Sequence, residues 1–139
     1  MNALKTKQHT IYDLMNELGI IESMRNYFYA CYETAESLPL HADLLNREND
    51  RILCALAHNR IRNDDILCEP DMEILIDLKN HTVQPLTYRN DSEGIFEQIY
   101  DCDESTPVNE SLKRELSVYL EEWLRSLIRL NYKLSERKN

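Results

Sequence analysis

Glycine restricts this chain more than any other residue. There are 2 glycines in 139 residues, Gly19 and Gly94, and neither has a glycine near it. A loop that cradles phosphate needs several close glycines, because its backbone must approach the ligand and reach positive φ. No Walker loop, dinucleotide fingerprint or G-x-S-x-G elbow can be built from this sequence. The usual routes to nucleotide binding and to a serine nucleophile are therefore closed.

Charge excludes a second class. The chain carries 25 acidic and 16 basic residues, a net charge of −9. Residues 51–105 hold 12 acids against 5 bases, whereas residues 106–139 hold 5 against 7. Binding to a phosphate backbone rests on Lys and Arg releasing counterions, so no nucleic-acid partner is expected. Cys31, Cys54, Cys68 and Cys102 form no C-x-x-C pair, so they read as free, mostly buried thiols. No basic, then apolar, leader opens the sequence, and no apolar stretch reaches 18 residues. The expectation is a cytoplasmic protein with no membrane contact.

Hydrophobic periodicity predicts one α+β domain over residues 1–139. Residues 1–9 are polar and are expected to be disordered. Ile11, Leu14, Met15 and Leu18 follow i, i+3, i+4, i+7 spacing behind Thr10 as a cap, and Gly19 is placed to end that helix. A second helical run, rich in aromatics, is predicted to about residue 34, so that residues 10–36 form an N-terminal helical part. Residues 40–50 read as a connector. Residues 51–100 hold the predicted sheet. Arg51–Asn59 is apolar on both faces and fits an interior strand or a short buried helix. Met72–Leu78 alternates cleanly, Val83–Tyr88 carries Pro85 at an edge or bulge, and Ile95–Tyr100 follows a turn. A last helix is predicted over residues 107–134, with Leu116, Leu120, Trp123, Leu124 and Leu127 on its apolar stripe. The expected architecture is an antiparallel meander of three to four strands, with the N- and C-terminal helices packed on one face.

One constellation carries possible chemistry. Between the first two predicted strands lie His58, Asp64, Asp65, Glu69, Asp71 and Glu73. Histidine with several carboxylates suits a divalent metal such as Mg²⁺, Mn²⁺ or Ca²⁺, and His58, Asp64, Asp65 and Asp71 are the candidate ligands. The competing reading is structural. Asp and Asn hydrogen-bond their own backbone in turns and tolerate left-handed φ, Arg60 and Arg62 can neutralise the acids, and His58 shares a stripe with Ile52, Cys54 and Leu56. That reading needs no cofactor. Binding residues are sought among Glu69, Glu73, Tyr27 and Tyr29, because tyrosine joins an apolar ring to a wet hydroxyl and is favoured at interfaces.

The segment LCALAHNRIRNDDILCEPDMEI, residues 53–74, resembles a bacterial family of unknown function that is found on plasmids, phages and conjugative elements. The matching steps are Ala57-His58, Asp64-Asp65 and Glu69-Pro70-Asp71-Met72, followed by Pro85-Leu86-Thr87-Tyr88 and Leu120-x-x-Trp123-Leu124. The family turn usually has Asn-Gly-Asp; this chain has Asn63-Asp64-Asp65. The resemblance implies a strand at Arg51–Asn59 and a mobile-element setting, with no activity attached. Three functions remain open: an acidic, non-enzymatic accessory protein that binds another protein or itself, a DNA mimic that occupies a host nuclease or restriction enzyme, and a metal-dependent enzyme.

Overall fold

The computed structural model describes residues 9–100 and 108–139. The expectations for residues 1–8, and for the helix start at 107, lie outside the described residues. Two short helices open the fold, α1 (Ile11–Leu18) and α2 (Ile20–Asn26). Thr10 accepts from the Asp13 backbone while the Asp13 carboxylate accepts from the Thr10 backbone, a reciprocal capping box. Gly19 joins the helices at φ 87, a left-handed value that glycine takes without strain.

Seven strands then follow: β1 (Tyr29–Glu33), β2 (Leu40–Glu48), β3 (Arg51–Arg62), β4 (Asp65–Asp77), β5 (Thr82–Pro85), β6 (Thr87–Asn90) and β7 (Ile95–Gln98). The helix α3 (Glu110–Arg129) and a last strand, β8 (Lys133–Lys138), close the chain. All pairings are antiparallel, in one open sheet of order β7-β6-β4-β3-β2-β1-β8, with β5 also on β4. The long β4 serves two partners on one edge: β5 at Ile74–Asp77 and β6 at Asp71.

This corrects the expected meander of three to four strands: among the described residues the sheet has eight strands and reaches well beyond residues 51–100. Each difference has a local cause. The predicted second helix stops at Asn26, where Tyr27 turns extended at φ −133 and Arg47 takes the carbonyls of Met24 and Tyr27. The aromatics beyond it form β1. In β2, Leu40 and Ala42 point into the core, and the mostly polar residues after them, Asp43 and Asn46 to Glu48, hid this alternation in what read as a connector. The last helix ends at Arg129 instead of 134, because Asn131 takes φ 60 and Tyr132 donates its hydroxyl to the Leu38 carbonyl at 2.6 Å. Val83–Tyr88 breaks into β5 and β6 at Leu86, whose backbone bonds Glu73 and Ile99.

The core is one cluster between the helices and one sheet face. Strand residues Ala30, Tyr32, Leu40, Ala42, Ile52, Cys54, Leu56, Met72, Ile74 and Ile76 meet Leu14, Met15, Ile20, Met24, Leu116, Leu120, Trp123 and Leu124. At ~1.5–3 kcal/mol for each large side chain buried, this contact dominates the stability of the fold. A polar link crosses it: Ser23 bonds the Tyr32 hydroxyl at 2.6 Å and accepts from Arg137 at 3.0 Å, which ties α2 to β1 and β8.

With few glycines, the turns use other residues. Asn49, Asn63, Asp64, His81 and Asn131 all have positive φ. Asn63 and Asp64, at φ 53 and 67, form the two-residue turn between β3 and β4. Positive φ at both positions is the mark of a type I′ hairpin, whose twist matches that of the strands.

Candidate functional site

His58 lies on the core side of β3, beside a register shift between Ala57 and Asn59. Trp123 donates its indole N–H to Nε2 of His58 at 3.0 Å, and the His58 Nδ1–H donates to the Pro39 carbonyl at 3.0 Å. Both ring nitrogens are thus engaged, and the neutral Nδ1–H tautomer is fixed. Burial lowers the pKa of His58. The rings of Tyr132 and Trp123 pack on it at 5.9 and 5.4 Å. The geometry is that of a histidine holding a helix to a sheet.

The carboxylates are dispersed. Asp64 sits in the left-handed turn and Asp65 opens β4 opposite Arg62, both exposed. Glu69 pairs with Arg60 at 3.4 Å. Asp71, opposite Ala57, and Glu73, opposite Ala55, alternate with the core residues Met72 and Ile74, so they face away from His58. Among the described residues, no three His, Cys, Asp or Glu side chains are grouped to hold a metal ion. Tyr27 caps α2 under the Arg137 guanidinium, 5.0 Å from its ring.

What the structure does bring together is the sheet face that no helix among the described residues covers. Register alone builds it, since opposed residues on neighbouring antiparallel strands point the same way. One row runs Cys31, His41, Ala57, Asp71, Arg89, Phe96; the next runs Lys138, Tyr29, Asp43, Ala55 and Glu73, whose backbone N–H donates to the Thr87 hydroxyl at 3.1 Å. A third places Leu53 beside Leu75 and Gln84. Of the sequence candidates, Tyr29, Asp71 and Glu73 share this face. Asp43, His41 and Leu53 were missed; the alternation of Leu40, Ala42 and Leu44 in β2 is the signal that would have found the first two.

The face is acidic at its centre. Arg89 is committed to Asp91 at 2.7 Å, and Lys138 sits over the Tyr29 ring at 5.2 Å. Among the described residues, Asp43, Asp71 and Glu73 have no ion pair within 4.0 Å. Desolvation raises the pKa of both Asp43 and Asp71, with His41 partly opposing it at Asp43 and Arg89 at Asp71. The Tyr29 hydroxyl bonds Nδ1 of His41. At one end of the face, Leu53, Leu75 and Leu86 line a cleft of about 760 Å³ rimmed by Arg51, Lys79 and Asn46. At the other end β3 and β4 run on past their neighbours as a two-stranded arm. Its cross-strand pair, Ile61 and Ile66, is 77% and 67% exposed.

The described residues thus form an open antiparallel sheet with helices packed on one face and, on the other, a face acidic at its centre that no described helix covers. The chain belongs to a family described as a domain of unknown function, DUF6908, whose model matches residues 9–132. No curated protein and no solved structure matches it. No helix among the described residues is long and apolar enough to cross a membrane.

Proposed function

We propose that this chain is a non-enzymatic, cytoplasmic protein-binding accessory protein that presents the helix-free face of its sheet to a partner, in the mobile-element setting its resemblance implies. The observation that carries this reading is the composition of that face. A solvated sheet face normally alternates to polar residues. Here Tyr29, Leu53, Leu75 and Phe96 stand on it, with Phe96 61% exposed. His58 supports the non-enzymatic reading, because both of its ring nitrogens serve the fold. The DNA-mimic alternative asks for unbroken negative charge, and Arg89 and Lys138 within the same rows favour a protein partner instead.

The test is a tagged pull-down from host lysate, nuclease-treated and read by mass spectrometry. Wild type is compared with Leu53→Ser/Leu75→Ser, after equal melting temperatures are established. A stoichiometric partner held by wild type and lost by the variant is the expected result. No partner, or a partner that the variant holds equally well, overturns the reading.

A further inference from the structure

Three features of the helix-free face lie in line along β3. The cleft floored by Leu53 and Leu75 comes first. Ala55 follows, with Asp43 on one side and Glu73 on the other. Ala57 is next, with Asp71 beside it. Same-face residues of a strand repeat every ~6.6 Å, and so do the same-face side chains of any extended peptide laid along it. The two alanines leave the middle of the track low, while the carboxylates form its walls. Arg89 and Lys138, the cations in the same rows, are engaged with Asp91 and the Tyr29 ring. The face therefore offers one apolar seat, then negative charge at the next two steps.

We propose that the face takes an extended basic segment of a partner protein, with an aliphatic side chain seated in the Leu53–Leu75 cleft, a lysine or arginine two residues on lying between Asp43 and Glu73, and a second, four residues on, beside Asp71. This rests on the protein-binding reading above and names the chemistry of the partner. Apolar burial in the cleft gives affinity. The carboxylates give register and rate of encounter, because a cation is attracted to them and an acidic segment is repelled.

The probe is a synthetic peptide of one leucine followed by lysines at the second and fourth positions after it, with serines between, titrated into the full chain and followed by ¹⁵N-resolved NMR and calorimetry. Shifts confined to β2, β3 and β4 are expected. Asp43→Asn/Glu73→Gln is expected to weaken binding about tenfold, and so is replacing the peptide leucine by serine. The control Glu110→Gln/Glu115→Gln removes the same charge from the exposed surface of α3 and is expected to change affinity less than about twofold. Melting temperatures of both variants establish that they fold. Equal weakening by the two double variants means general attraction to a −9 protein and overturns the proposal. So does the absence of binding at millimolar peptide. A partner captured by wild type and lost with the leucine floor, but unaffected by Asp43→Asn/Glu73→Gln, leaves the binding face standing and overturns only the basic chemistry.

Discussion

At the scale of single residues, His58 and Asp64 show how a suggestive motif resolves into structure. His58 accepts from Trp123 through a lone pair that protonation would occupy, setting two donors face to face. Its folded pKa is depressed by burial, so the unfolded chain binds this proton more readily than the native one. The stabilisation is complete above the ordinary histidine value of 6.5 and is lost as pH falls below it through the depressed native value. Urea unfolding at pH 7.5 and at pH 5 should show a lower midpoint in acid, and His58→Ala should flatten that difference. The same substitution should cost about 1–3 kcal/mol at neutral pH, since it leaves the Trp123 N–H and the Pro39 carbonyl without a partner. Asp64 holds φ 67 in a type I′ turn, where a side chain is strained and glycine is not. Asp64→Gly should therefore stabilise the fold by about 0.5–1 kcal/mol, after the greater entropy of glycine in the unfolded chain is subtracted. A destabilised variant in denaturant titration would mean that the Asp64 carboxylate has work beyond the turn.

Among the elements, Arg47 bears more weight than its place in a polar stretch suggests. It donates to Met24 and Tyr27, the carbonyls left open at the end of α2, and its guanidinium lies 5.4 Å from the Phe28 ring. Arg47→Met should cost about 1 kcal/mol, discounted because the side chain is exposed, and chiefly loosen α2. Amide exchange along residues 20–26 would read this directly. Legibility of the elements followed their chemistry. The buried stripe of α3 and the alternation of Met72–Leu78 come from apolar residues at fixed spacing, and both were readable. The resemblance chose strand over helix for β3. β8 was not readable, because its partner β1 lies about a hundred positions away, and β1 was not, because it does not alternate clearly on its own. Site residues suffered from the same cause. Asp71 and Glu73 were picked from sequence, but Asp43 becomes their neighbour only through the register of β2 on β3.

For the whole molecule, a charge of −9 sets the behaviour. Carboxylates crowded on one sheet face repel one another, and the native state holds them closer than the unfolded chain does. Screening should relieve this, so the melting temperature should rise as NaCl goes from about 10 mM to about 150 mM, where the Debye length shrinks to about 8 Å. A fall over that range would mean that the ion pairs, such as Arg89–Asp91 and Arg60–Glu69, outweigh the repulsion. In Asp43→Asn/Glu73→Gln the salt response should be smaller than in wild type. A response of the same size would place the dominant repulsion elsewhere on the surface.

The pairing of β1 with β8 joins Tyr29 to Lys138 and Glu33 to Lys133. During synthesis β1 emerges about a hundred residues before its outer partner, so a nascent chain carries an unprotected strand edge until residues 133–138 have been made. β2 to β4 can zip as local hairpins in the meantime, whereas closure of the sheet at β1 must wait for a contact spanning most of the chain. Such a topology folds slowly. It also leaves a newborn intermediate open to pairing with its neighbours. Shortening the chain by its final strand would make that exposure permanent, and yield and solubility would suffer before any loss of core packing was felt.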